Sequence, residues 1–266
     1  MEKTSIITLP KWLDDLIFNE MGAQYCRQNS TMTNIDDDKD RALNYLGTYF
    51  PRSYAEAYTI CGGFFQKYKD NYNGKTELKI FDFGCGTGGE IIGLLTAIEE
   101  NLPEVKKVRI VALDGNHHAL LLFEEIVSNF KQRINIEIEC CPVHLHINFY
   151  KLEMLDYVMT EQFDMIISFK AICEFVTKKQ FEELNPYEHL ANFMRTKMKA
   201  DGIMVLEDIT TKDEKSSEWL PDKMDRGLLS ANCNVVAQNV GYNQIYCVTH
   251  SHANDKSKIA WRIITK

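Results

Sequence analysis

Residues 80–90 read Ile80-Phe81-Asp82-Phe83-Gly84-Cys85-Gly86-Thr87-Gly88-Gly89-Glu90, a short apolar strand running into a glycine-rich turn. Glycines at 84, 86 and 88 remove Cβ atoms where a backbone must turn tightly and where its N–H groups can approach a ligand. Glycine also tolerates the φ > 0 conformations that such turns use. Ile91, Ile92, Leu94, Leu95 and Ile98 follow at helical spacing, which predicts a helix whose positive N-terminal end borders the turn. Strand, glycine turn and helix in that order are how a nucleotide-cofactor loop is built.

The glycines leave alternatives open, because Gly84-x-Gly86-x-x-Gly89 also satisfies the dinucleotide fingerprint and glycine-rich turns occur in α/β proteins with no ligand. The next strand, Val108-Arg109-Ile110-Val111-Ala112-Leu113, ends in Asp114-Gly115, where an acid would accept hydrogen bonds from both hydroxyls of a ribose. A second acid, Asp82, precedes the glycines. The resulting D-x-G-x-G-x-G arrangement resembles the first motif of class I S-adenosylmethionine (SAM) methyltransferases, whereas nicotinamide enzymes usually carry an apolar residue at that position. The competing readings are a nicotinamide dehydrogenase and two strand-end acids with solvent or capping partners. The resemblance implies a SAM pocket built from Asp82, Gly84, Cys85, Gly86, Gly88, Asp114 and Gly115, joined by Ser168 and Phe169 at the end of a later strand.

Further apolar runs support the same architecture. Phe163-Asp164-Met165-Ile166-Ile167-Ser168-Phe169 and Gly202-Ile203-Met204-Val205-Leu206-Glu207 read as buried parallel strands. Helix-like stretches, Ala119 to Phe130 and Tyr187 to Met198, lie between strands, which is β-α repetition. Near the C-terminus Gln244 to His250, a polar turn over Ser251 to Lys258, and Ile259 to Ile264 read as an antiparallel hairpin. The resemblance implies a Rossmann-like α/β fold with a mostly parallel, seven-stranded sheet closed by such a hairpin. At 266 residues and 45% hydrophobic content, the chain can bury one full α/β core. Residues 76–266 are expected to form the SAM-binding domain. Residues 1–75 are expected to be a helical extension acting as a lid, with Trp12, Leu13, Leu16 and Ile17 as one apolar stripe and Arg41 to Tyr68 rich in Tyr and Phe. Between them Asn29 to Asp40 is polar. Asp36-Asp37-Asp38 reads as a solvated loop or helix start, since three consecutive carboxylates cannot all face one ion from a helix.

No uncharged apolar run approaches the ~20 residues of a membrane span, and Ile6 to Leu9 stops at Pro10, so neither a membrane anchor nor a signal peptide is expected. The eight cysteines show no C-x-x-C pairing, which predicts reduced thiols in a cytoplasmic protein. Cys140-Cys141 point to opposite faces of a strand. His144-x-His146 share a face but have no third ligand nearby, so no metal is expected. His117-His118, just past Asp114, read as adenine-wall or helix-start residues. The charge balance, 30 basic against 38 acidic side chains for a net −8, disfavours nucleic acid, whose binders concentrate positive charge to neutralise phosphates. The basic clusters, Lys178-Lys179, Lys106-Lys107-x-Arg109 and Arg195-x-Lys197-x-Lys199, are short. A small molecule or a peptide fits better as acceptor.

A finer resemblance lies in the extension. Tyr45-Leu46-x-x-Tyr49-Phe50-Pro51-x-Ser53-Tyr54-Ala55-Glu56-x-Tyr58 is similar to the mitochondrial small-ribosomal-subunit methyltransferase-like family and its bacterial relatives, in which a P-x-[ST]-Y-A helix precedes the SAM loop. Ser168-Phe169-Lys170-Ala171-Ile172-Cys173-Glu174-Phe175 matches a segment of that family containing a Glu, and Leu206-Glu207 matches a strand ending in an acid. The likeness covers roughly residues 41–210. The family's cysteine cluster, attributed to an iron–sulfur centre, is missing, because the last third holds only Cys233 and Cys247. The cofactor pocket is therefore carried over and the ribosomal role is not. Two alternatives stand beside it, an rRNA- or ribosome-associated methyltransferase-like protein and a SAM-binding assembly factor without catalysis.

SAM brings its own leaving group, so the protein must align a nucleophile and, where needed, remove a proton. The [DNS]-P-P-[FY] signature of exocyclic-amine methylation is missing after Phe169. The two-cysteine arrangement of C5-pyrimidine methylation is missing too, since Asp208-Ile209-Thr210 offers no partner for Cys173. Glu174, a carboxylate just beyond a strand C-terminus, is the general-base candidate. Its bland alternative is a helix-start carboxylate with a structural partner. Tyr54, with Tyr58, is placed to orient a substrate oxygen or line the pocket, and aromatic core is the alternative. The reading is a SAM-dependent methyltransferase acting on a small-molecule or peptide acceptor.

Overall fold

The fold is described from a computed structural model covering residues 6–26, 38–211, 219–239 and 244–266. The chain opens with strand β1 (Ile6–Thr8), helix α1 (Lys11–Asp14) running into a π-helical turn (Asp15–Glu20), and a 30-residue helix α2 (Lys39–Tyr68). Asp38 starts α2 by accepting the Arg41 N–H at 2.9 Å, the arrangement of a side-chain N-cap. Then follow β2 (Glu77–Phe83), α3 (Gly89–Asn101), β3 (Lys107–Asp114), α4 (His117–Phe130), β4 (Glu137–His144) and β5 (Phe163–Phe169). Short helices α5 (Ile172–Phe175) and α6 (Lys178–Glu183) lead to α7 (Pro186–Lys197), β6 (Met198–Ile209) and α8 (Leu220–Ser230). The chain closes with β7 (Asn234–Gln238), β8 (Ile245–His250) and β9 (Ala253–Thr265). Of the predicted acidic run only Asp38 falls within the described residues.

The strands form one sheet in the order β1-β8-β9-β6-β5-β2-β3-β4, with β7 also on β9. From β4 to β6 every pairing is parallel, while β9 runs antiparallel to β6, β7 and β8. This is the expected Rossmann-like sheet, but among the described residues it has nine strands, not seven. The two additional strands are β7 and β1, the latter a strand inside the extension read as helical. The C-terminal hairpin is present with a tighter turn than expected, because Ala253 to Lys258 pair with Ile245 to His250. These residues are polar and still extended because they lie toward the rim of the sheet. The buried member, Asp255, is held there by Arg52 at 2.6 Å.

Side-chain alternation along the strands divides the core into two layers. Leu78 and Ile80 of β2, Met165 and Ile167 of β5, and Ile203 and Val205 of β6 face the layer of α2, α3 and α4. Phe81 and Phe83, Ile166, and Met204 and Leu206 face the layer of α7 and α8. Continued to the strand ends, the same alternation puts Asp82 and Glu207 beneath α2 and α3. A Cβ on Gly89 would lie 2.4 Å from the Phe50 carbonyl oxygen, and one on Gly93 would lie 2.3 Å from that of Tyr54. Two glycines one turn apart on α3 thus let the backbone of α2 sit directly on it.

Candidate functional site

The cofactor loop joins β2 to α3. Gly84, Gly86 and Gly88 all have positive φ, 83°, 48° and 82°, a conformation in which a Cβ is strained. Gly84 and Cys85 each donate an N–H to the Leu113 carbonyl at 2.9 Å, which pins the loop to the end of β3. Asp114 completes the tie. Its Oδ2 accepts the Gly86 N–H and its Oδ1 the Asn116 N–H, each at 2.7 Å. A Cβ on Gly88 would meet the Phe123 ring at 2.2 Å, and one on Gly84 would meet Ala171 at 2.4 Å. These two glycines therefore serve close packing as well as the turn.

A cleft of about 170 Å³ opens at this end of the sheet. Gly84, Asp114, Gly115 and His146 line it together with Tyr45 of α2 and Glu174 of α5. The Tyr45 hydroxyl donates to Glu174 Oε1 at 3.2 Å. Of the residues expected at the cofactor, Gly84, Asp114 and Gly115 line this cleft, and Gly86 joins it through Asp114. The Cys85 side chain is buried with its Sγ toward the Gly86 carbonyl, so it contributes backbone only. Asp82, Ser168 and Phe169 are buried at the neighbouring ends of β2 and β5. His144 meets the Gly115 carbonyl through Nε2 at 2.9 Å. Its ring lies 5.2 Å from that of His146 and 5.5 Å from that of His117. Among the described residues no group of His, Cys, Asp or Glu is arranged to hold a metal ion.

Tyr54 departs from its expected place. It is buried at the α2–α3 interface, stacked on Tyr58 at 6.1 Å and close to Thr96, and it does not line the cleft. Tyr58 is likewise turned away, donating to Glu100 at 2.7 Å. The reason is helical phase: nine residues separate Tyr45 from Tyr54, two and a half turns at 3.6 residues per turn, so they project from opposite sides of α2. Tyr45 takes the position at the cleft that Tyr54 was expected to fill.

With this geometry in view, residues 75–261 match a family described as a methyltransferase domain. The chain belongs to that family. It is a SAM-dependent methyltransferase. Solved structures with a similar fold include a precorrin-6y C5,15-methyltransferase from Geobacter metallireducens, at 16% identity over 79% of this chain and 87% of that one, TM-score 0.46. Another is a magnesium protoporphyrin IX methyltransferase from Synechocystis with bound SAM, at 8% identity over 90% of this chain and 100% of that one, TM-score 0.48. No protein of curated function matches the chain. Among the described residues of the methyltransferase no helix is long and apolar enough to cross a membrane.

Asp82, Glu90 and Asp114 are acids close enough to bear on one another. Neither carboxylate oxygen of the fully buried Asp82 has a hydrogen-bond donor. Burial, with Glu90 beside it, pushes its carboxyl well above the usual range. Burial likewise raises Glu90 to about 8, and it raises Asp114. Lys170 is the buried cation of this region. Burial would lower its pKa, but Glu56 and Glu207 outweigh it and the net shift is upward. Its Nζ donates to Glu56 and stands 3.9 Å from Glu207, while its backbone sits at φ 56°, rare for a side-chain-bearing residue. Glu207 is pushed well up, first by burial and then by Glu56. Lys170, Glu56 and Glu207 all lie inside the motifs quoted above. Nothing in their spacing announced that they would meet across 151 residues of chain. The clue available was a Lys directly after an apolar strand, next to a segment otherwise read for its Glu.

Proposed function

We propose that this methyltransferase modifies a small molecule or a peptide side chain in the cleft between Asp114 and Glu174, with Glu174 as the group that takes the acceptor's proton. The observation that carries the reading is the Tyr45–Glu174 pair lining the same cleft as Asp114. When bound, the cofactor supplies an electrophilic methyl on a sulfonium. Asp114, already aligned by two backbone N–H groups, would hold the ribose, and Asp82 with Glu90 would face the cationic methionine end. Tyr45 orients the Glu174 carboxylate by donating to it, and residues 1–75 act as the cover that keeps water from the acceptor. The net charge of −8 supports an acceptor other than RNA. Eight cysteines outside any disulfide support a cytoplasmic setting.

The test is methyl transfer from tritiated SAM to separated fractions of cellular RNA, protein and small metabolites. Label is expected in the small-molecule or peptide fraction, and Glu174→Gln is expected to lower turnover while SAH affinity stays at the wild-type value. Salt-sensitive binding to rRNA with label entering that RNA would restore the ribosomal alternative. SAH binding without transfer to any fraction would favour an assembly factor.

A further inference from the structure

The cleft has a one-sided charge. Among the described residues that line it there is no Lys or Arg and one His, His146, while Asp114 and Glu174 supply two carboxylates. Burial first, and then the carboxyl groups of Glu174, Glu90 and Asp114, push the pKa of the Tyr45 hydroxyl well up. The nearby cations are engaged elsewhere, Lys170 with Glu56 and Arg52 with Asp255. An anionic acceptor would meet like charge here in a partly desolvated space.

The aromatic groups have the complementary character. Tyr45 and Tyr49 lie one turn apart on α2 with ring centroids 4.6 Å from each other, both half-buried. Arg52 places its guanidinium 5.4 Å over the Tyr49 ring, so one member of this pair already faces a cation, and Tyr45 is the member that lines the cleft. A ring face beside a carboxylate is the combination that recognises an ammonium, the ring through its quadrupole and the carboxylate through charge-assisted hydrogen bonds.

We propose that the acceptor is an amine, captured as its ammonium between the Tyr45 ring and Glu174. This rests on the methyl-transfer reading of the same cleft. The ammonium first passes one proton to the Glu174 carboxylate, leaving a neutral nitrogen with its lone pair. That lone pair forms the nitrogen–carbon bond to the methyl as the carbon–sulfur bond breaks and its electron pair stays on sulfur. The product leaves as a methylated ammonium and the proton on Glu174 passes to water. Charge and atoms balance without any further reactant. An alcohol acceptor would leave the ring face unused, and a carboxylate acceptor would meet like charge.

The experiment uses the full chain loaded with SAH and matched probes that differ only in head group: butyl, phenethyl and indolylethyl bodies, each as amine, alcohol and carboxylate. Calorimetry is expected to show the amine of at least one set binding about tenfold or more tightly than its alcohol, with the carboxylate weakest. Glu174→Gln should erase that preference without changing SAH affinity. With tritiated SAM, label should appear on the nitrogen of the preferred amine, read by the mass of the N-methyl product. Equal binding across head groups, a preference for carboxylates, or no amine binding at millimolar concentration overturns the inference and leaves the methyltransferase reading intact if SAH still binds. Failure of SAH itself to bind would remove both.

Discussion

Both oxygens of Asp114 are engaged by the chain, one by Gly86 and one by Asn116, so its carboxylate shapes the loop before any ligand arrives. Asp114→Ala is expected to weaken SAH binding by about 1.5–3 kcal/mol through loss of charge-assisted hydrogen bonds, measured by calorimetry. Unchanged affinity would take Asp114 out of the site. Gly88 makes a different demand. With φ 82° and an added Cβ 2.2 Å from the Phe123 ring, Gly88→Ala should cost about 2–4 kcal/mol of stability from overpacking plus left-handed strain. Gly63, whose Cβ would meet nothing within 4 Å, is the control, and Gly63→Ala should be neutral or stabilising in the same urea titration. A glycine's identity is plain in the sequence. Which atom it avoids is not, because Phe123 approaches from 35 residues away.

Helix α2 marks the limit of what periodicity can tell. Among its aromatic residues Tyr45, Tyr49, Tyr54 and Tyr58 form two i,i+4 pairs on opposite sides of the cylinder, one side toward α3 and the other toward the cleft. A one-sided apolar stripe would have revealed the phase, and two stripes could not. Strand β9 shows the converse. Its second half was legible from an apolar run, whereas its first half is polar and extended because β8 and Arg52 hold it. The Asp82–Gly88 loop was legible because glycine chemistry is local. The α3 helix carries a pH signature. Glu90 holds its proton to about pH 8 in the folded chain, while a carboxyl in an unfolded chain titrates near 4.3. The folded state then binds more protons through that window, so stability is full below it and is lost as pH rises toward about 8. Asp82 and Glu207 shift in the same direction. Thermal melts of the ligand-free protein from about pH 5 to pH 8.5 should show Glu90→Gln gaining on wild type as pH rises. A difference that stays constant with pH would contradict the assignment.

On the scale of the whole molecule the extension is continuous with the domain it precedes. Leu13 and Ile17 are fully buried in the layer shared with α2, α3 and α4. Ile6 to Thr8 pair with Cys247 to Thr249, and Asp14 accepts hydrogen bonds from Ser251. Removing residues 1–25 is therefore expected to lower the melting temperature of the entire protein. Losing even two fully buried aliphatic side chains costs about 4–10 kcal/mol, comparable to the total stability of a typical domain. Differential scanning calorimetry checks this, and a truncated chain that melts with wild type would show the segment to be separable.

The rims of the sheet bear on a different property. At one rim lies β1, described over Ile6–Thr8. At the other, β4 carries exposed Glu137 and Glu139 and the imino acid Pro142, with Lys107 drawn to both glutamates. Bare strand edges recruit strands from other molecules, and short length, charge and proline are what blunt them. At its β4 border the sheet therefore disfavours pairing with a strand from another molecule.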